Sequence, residues 1–330
     1  MSTAVANTEP RTAEPDDLSV DTNRRVLFIA GWGRSGSTLL ANLLGDTSDA
    51  VNLGELRYLW TRGLDGTQCG CGVPVIDCRY WTQVLDRSGW SLTDHEEIRQ
   101  FDSRVGATAI FRQLAAILTG RTDEYRERYA ADVDEVRKII SSTAHRPETL
   151  IIDSSKSIPF LINILGDDSF DVEVLHLTRD PRAVAYSWSR LTDTLDADGV
   201  MFPRFGPLRS SLYWTIFNLV PLFLRSVPYD RLAYEDFVED PKATVESLCE
   251  RYQIRFPEAQ WLDERTAQVS VQHTISGNPS RFKTGPTVVK PDKRWTTKMA
   301  GRNRFLVALC TAPARFVLTR TSDRRKALSQ

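Results

Sequence analysis

Short apolar runs alternate along this chain with stretches whose apolar residues recur at helical spacing. Residues 26–30 (Val-Leu-Phe-Ile-Ala) read as a short buried strand, and 51–53, 150–153, 172–177 and 231–234 read as further strands. Residues 37–44 follow the first run as an apolar-faced helix. Between the second and third strands, Ile98, Phe101, Val105, Ile110, Leu114 and Leu118 are spaced for helix over 95–119, and a second helical stretch covers 124–144. Strands separated by helices predict an α/β chain with a parallel sheet, and residues 61–147 are expected as a helical cap over the sheet edge, where a substrate would be chosen. Residues 1–24 are polar, contain proline and have no apolar face, so they read as a disordered leader. The tail, 300–330, is basic, with Asp323 its only acidic residue, and mixes Phe305, Leu309 and Phe316 among arginines. It reads as a C-terminal helix packed on the domain, with peripheral contact to an anionic membrane as the alternative.

The turn after the first strand carries the most specific chemistry. Gly31-Trp32-Gly33-Arg34-Ser35-Gly36-Ser37-Thr38 fits the glycine, glycine and threonine of G-x-x-x-x-G-K-[ST], but Ser37 stands where a nucleotide triphosphatase has its lysine. Strand, glycine-rich turn and helix come in the order that presents backbone N–H groups and a positive helix end to an anion. With its positive charge moved to Arg34, the loop suits an anion and is poorly arranged to clamp a triphosphate with its metal. A second anion site lies in Arg179-Asp180-Pro181-Arg182 and Ser187. Asp180 can cap a helix that begins at Pro181, which places Arg179 at a strand's carboxyl end and Ser187 about two turns along the helix. Open α/β sheets bind ligands at that edge. A third segment, 277–282 followed by 290–295, has the Gly, Asn and Pro of a loop and basic and hydroxyl groups spaced for an oxyanion-covering lid.

These segments resemble the 3'-phosphoadenylyl sulfate-dependent sulfotransferases, whose first signature, P-[KR]-S-G-[ST]-[ST], corresponds to Arg34, Ser35, Gly36, Ser37 and Thr38. The resemblance covers roughly 25–299, tightly in the two phosphate signatures and loosely in the cap. It implies a three-layer αβα fold of the P-loop type, with a central parallel sheet and the cap insertion. It implies 3'-phosphoadenylyl sulfate (PAPS) as co-substrate, with cofactor contacts from Gly33, Arg34, Ser35, Gly36, Ser37 and Thr38, from Arg179 and Ser187 to the 3'-phosphate, and from Ser280 and Arg281 in the lid. Glu55, after the second strand, matches the glutamate that faces the acceptor hydroxyl in related enzymes, with Asp153 as the alternative base. Lys156 matches the lysine that stabilises the bridging oxygen, and Arg34 the group that holds the phosphosulfate. Arg34 and Glu55 depart from the lysine and histidine of the aryl and steroid branch and point to the bacterial, carbohydrate and tyrosyl-protein branches. The expected acceptor is a sugar, glycolipid or secondary metabolite. A P-loop kinase and a non-catalytic nucleotide-binding protein remain the rival classes.

Composition narrows the partners. Lys plus Arg at 42 against Asp plus Glu at 43 leaves a formal charge of -1, so global attraction to nucleic acid is not expected and anion sites must come from local clusters. The start of the chain lacks the basic and apolar segments of a secretion signal, and the expected location is cytoplasmic. Of the 5 cysteines, Cys69, Cys71 and Cys78 crowd together. They could ligate zinc, but no fourth ligand is evident nearby, and reduced thiols packing a loop is the preferred reading, so no metal is expected. His176 reads as core, Trp214 and Asn218 as core packing, and His273, just before the lid, as the one histidine near the expected site.

Overall fold

The computed structural model of the protein describes residues 23–190, 203–224 and 227–328, with side chains to residue 320. All but the last two residues of the leader expected over 1–24 lie outside the described residues. The first strand, β1 (Arg24–Ala30), is followed by helix α1 (Ser37–Leu44) and β2 (Ala50–Gly54). Helices α2 (Arg79–Ser88), α3 (His95–Val105), α4 (Ile110–Thr119), α5 (Thr122–Arg128) and α6 (Ala130–Ser142) then precede β3 (Leu150–Lys156) and α7 (Ile158–Leu161). After β4 (Phe170–Thr178) come α8 (Pro181–Ser189), α9 (Pro207–Leu219), β5 (Tyr229–Ala233), α10 (Tyr234–Glu239) and α11 (Pro241–Arg251). An antiparallel pair, β6 (Thr266–Val269) with β7 (Gly285–Val288), then α12 (Arg294–Lys298) and α13 (Gly301–Leu328) complete the chain.

The sheet is parallel throughout, in the order β2-β3-β1-β4-β5. Because β1 is buried on both faces it reads as a continuous apolar run, which is what a parallel strand between two helical layers requires. Its alternate side chains enter two cores. Leu27 and Ile29 pack with α1, α10 and α11, while Val26, Phe28 and Ala30 face the helices of the insertion. This is the three-layer αβα arrangement.

The insertion expected as a helical cap is helical and packs on the sheet. Trp81 and Val84 of α2, Ile98, Phe101 and Val105 of α3, and Val133, Val136 and Ile139 of α6 all join the core of Val26, Phe28 and Ile151. These helices therefore lie in one outer layer of the sandwich, with their apolar stripes covered by a sheet face. The helix expected over 95–119 is broken at Gly106. The Asp102 carboxylate accepts from the backbone N–H of Ala107 and of Thr108 and from the Thr108 hydroxyl, and so starts a new turn. The tail is a helix that buries Val307, Ala314 and Leu318 against α8 and α9, leaving Phe305, Leu309 and Phe316 exposed. Among the described residues no helix is long and apolar enough to cross a membrane.

Candidate active site

Four neighbouring strands, β2, β3, β1 and β4, each end in residues that line one cleft of about 390 Å³. After β1 the chain turns at Gly31, at φ +121, where an added Cβ would lie 2.4 Å from the Leu177 carbonyl of β4. Gly36, at φ +93, leaves room for the Tyr234 ring, which a Cβ would meet at 2.6 Å. Arg34 also holds a positive φ, 69°, and its guanidinium lies over the Trp188 ring at 5.0 Å. The loop ends in the N-terminus of α1, whose first N–H groups have no partner within the helix. Replacement of Gly31 by Ala combines a strained φ with a backbone clash, and is expected to lower stability by about 1–3 kcal/mol, measured by urea denaturation.

At the end of β2, the Glu55 backbone N–H donates to the Ile275 carbonyl at 2.7 Å, which fixes where its side chain leaves the backbone. Lys156, the last residue of β3, adopts φ 61° opposite a register shift in β1. Its Nζ donates to Glu55 Oε1 at 2.7 Å and to the Ser154 carbonyl at 2.8 Å. Burial pushes the Glu55 carboxyl up, but Lys156, Arg57 and Arg62 together outweigh it and hold the group below its ordinary value. Glu55 is therefore held in its carboxylate form.

Arg179 follows β4. Its Nη1 donates to the Arg34 carbonyl at 2.9 Å, its guanidinium lies over Tyr234 at 4.1 Å, and Asp292 stands 3.5 Å away. Its carbonyl accepts from Trp214 Nε1 at 3.0 Å, which ties the strand end to α9. Arg179 Nε and Ser35 Oγ are buried without a hydrogen-bond partner among the described residues, the pattern of a preformed polar cradle. Hydrogen bonds from Arg294, opposed by burial and aided by Arg179, hold Asp292 down at about 2.

Gly33, Arg34, Gly36, Ser37, Thr38, Glu55, Lys156, Arg179, Ser187 and Ser280 all line this cleft. Ser35 lies just beneath it, and Arg281 is turned away. In the short turn Pro279–Phe282, Ser280 faces the cleft while Arg281 Nη2 donates to the Gln68 carbonyl at 3.0 Å and the guanidinium packs on Phe282. Arg294, further along the same segment, lines the cleft instead. Asp153 is buried below the floor, where it accepts from the Ser155 N–H and hydroxyl, and burial raises its carboxyl to about 6. His176 is core, bonded to Tyr229 and Asn218, and burial lowers it to about 4. His273 is not at the cleft. Its Nδ1 lies 3.3 Å from Cys78 Sγ, so the three cysteines do have a neighbouring fourth side chain.

No residue of α2–α6 lines the cleft. The walls near Glu55 come instead from the turn just after β2, where Arg57 and Arg62 sandwich the Tyr58 ring at 4.3 and 4.4 Å. On the opposite side Trp32, Trp188, Phe205 and Phe217 form an aromatic wall, with Trp32 and Phe217 4.7 Å apart. The sequence signal for these was weak, since Arg57 and Arg62 sit in an irregular turn and the aromatic residues come from three separate segments.

The model of the sulfotransferase family matches residues 27–258, from the loop-bearing strand through α11. No curated protein matches the chain significantly. Among solved structures, it is similar to the sulfotransferase domain of the Synechococcus olefin synthase, at 20% identity and TM-score 0.46 over 92% of this chain and 98% of that one. A sulfotransferase domain from the curacin biosynthetic pathway is 16% identical, with TM-score 0.45 over 89% and 99% of the two chains. A sulfotransferase from Alicyclobacillus acidocaldarius is 11% identical, with TM-score 0.39 over 88% and 96%. With a family match over most of its length, this chain belongs to the sulfotransferase family.

Proposed function

We propose that the protein transfers the sulfuryl group of PAPS to an acceptor hydroxyl, with Glu55 as the base. The observation that carries this reading is the Glu55–Lys156 pair, 2.7 Å apart, in the cleft that also holds the glycine loop and Arg179. The loop N–H groups and Arg34 would hold the 5'-phosphosulfate, and Arg179 with Ser187 the 3'-phosphate. Trp32 and its aromatic neighbours offer a stacking surface for the purine. The acceptor oxygen attacks sulfur as the bond from sulfur to the phosphate oxygen breaks. Its proton passes to Glu55, and the electron pair stays on the departing phosphate, beside Lys156. Fixed cations and N–H groups suffice for a sulfuryl group, which carries less charge than a terminal phosphate. The Arg57–Tyr58–Arg62 stack beside Glu55 suits a polyhydroxylated or anionic acceptor, consistent with a sugar, glycolipid or decorated secondary metabolite.

Calorimetric titration with 3'-phosphoadenosine 5'-phosphate, without magnesium, tests the donor. Saturable binding is expected, and Arg179→Ala should weaken it by about 10- to 100-fold, since it removes charged hydrogen bonds to a phosphate. A preference for ATP with magnesium, or affinity unchanged in the variant, would overturn the reading in favour of a P-loop kinase or another nucleotide site.

A further inference from the structure

The cysteines that the donor and acceptor chemistry leaves unused form a four-ligand cluster with His273. Cys69, Cys71 and Cys78 come from the first part of the insertion, and His273 arrives 195 residues after Cys78. The three sulfurs and the His273 ring nitrogen all lie within 4.8 Å of one another. Individual separations are 3.7 Å between Cys71 and Cys78, 3.8 Å from Cys69 to His273 Nδ1, and 3.3 Å from Cys78 to His273 Nδ1. Four ligands around tetrahedral zinc, at the usual Zn–S and Zn–N lengths, stand about 3.6–3.8 Å apart. Cys69 and Cys78 are buried, and Cys71 is partly so.

The surroundings hold these ligands in place. Cys69 lies in a tight turn in which its N–H donates to the Val73 carbonyl at 2.7 Å and its carbonyl accepts from Gly72 at 2.8 Å. Gly72, between Cys71 and the return of that turn, takes φ +90. Gly70 presses the turn against the segment that holds His273, donating to the Thr274 carbonyl at 3.0 Å, and a Cβ there would lie 2.4 Å from the Gln272 carbonyl. The imidazole stacks on Tyr80 at 5.1 Å and 11°, and the His273 carbonyl accepts from Trp81 Nε1 at 2.9 Å. Ring orientation and backbone are thus set by groups outside the cluster.

We propose that Cys69, Cys71, Cys78 and His273 bind one zinc ion in a closed, structural Cys₃His site. Three thiolates and an imidazole are a donor set zinc favours, and four protein ligands leave no open position for catalysis. Zinc ligation departs from the reading of these cysteines as thiols that merely pack a loop. The ion joins the start of the insertion to the segment that continues into Ile275, whose N–H donates to the Leu53 carbonyl and whose carbonyl accepts the Glu55 N–H. That same segment supplies Gly277, Asn278 and Ser280 to the cleft. Zinc would hold the wall of the active site rather than act on the substrate, and this inference stands independently of which donor the enzyme uses.

Elemental analysis of the untagged full chain, purified under reducing conditions, is expected to find about one zinc per chain. Cobalt added to metal-free protein should give the intense visible bands of a tetrahedral thiolate site. Cys71→Ser and His273→Gln should each lower retained zinc at least tenfold, and chelation of the wild type should lower its melting temperature even if a variant fails to fold. Substoichiometric zinc below about a tenth per chain together with no cobalt bands would overturn the proposal. So would a Cys71–Cys78 disulfide in peptide mapping of protein purified under those reducing conditions.

Discussion

Glu55→Gln is expected to lower kcat by about 10²- to 10⁴-fold while leaving the affinity for 3'-phosphoadenosine 5'-phosphate within a few-fold of wild type. The substitution keeps the side chain's shape and an acceptor oxygen for Lys156 Nζ, 2.7 Å away, but takes away the group proposed to receive the acceptor's proton. Steady-state kinetics with labelled donor, set beside calorimetry, separate the two effects. Full kcat in the variant would move the base elsewhere. The pH profile gives an independent reading. Burial pushes the Glu55 carboxyl up, yet Lys156, Arg57 and Arg62 hold it below its ordinary value, so it is charged above the usual carboxylate range. Protonation of Glu55 should then leave kcat/KM level from about pH 5 to 8, with an acid limb only below the ordinary glutamate value. The same sign governs stability. A depressed carboxylate stabilises the fold above its unfolded value, and that contribution is lost as pH falls through the folded one, so acid unfolding of Glu55→Gln should be less steep.

The parts of this site that were legible in sequence are those whose chemistry and geometry lie within a few residues. The loop from Gly31 to Thr38 needs its glycines for local φ values and close approach, and helix α1 follows at its expected limits, Ser37–Leu44. Arg179, Asp180 and Pro181 encode a strand end, a cap and a first helical position in succession, and Asp180 does accept the Arg182 N–H at 2.8 Å. What the sequence hid depends on distant packing. An apolar stripe on α3 or α6 announces burial without naming its partner, which is one face of the sheet. In the covering segment, the turn at Pro279–Phe282 directs Arg281 to Gln68 and leaves Arg294 at the cleft, a distinction that charge spacing does not carry. His273 is the extreme case. Its place beside Cys69 and Cys78 is set by a single parallel bridge from Ile275 to the end of β2, across some two hundred residues of chain.

Lys156→Met should lower kcat by about 10²- to 10³-fold, the scale for losing one preorganised electrostatic donor at a centre of developing charge. Methionine retains most of the buried stem's volume, and the lost interaction is the cation proposed to stand beside the leaving oxygen. The variant also strands Glu55, because the first of the cations that oppose its burial is gone while the burial remains. Its carboxyl must therefore rise, and the acid limb of the residual activity should move upward, the reverse of what a purely steric defect would do. Breaking a buried ion pair can cost about 3–5 kcal/mol of stability, so the thermal transition needs to be followed with the kinetics. Lys156→Arg is not expected to rescue, since the planar fork cannot reproduce a compact ammonium that bonds both Glu55 Oε1 and the Ser154 carbonyl. If the two residues act as one unit, the Glu55→Gln and Lys156→Met double variant should lose little more than the worse single variant. Fully multiplicative losses would mean that the base and the leaving-group cation work independently. In that case the 2.7 Å contact between them would be a resting-state contact, exchanged for separate partners once donor and acceptor are bound.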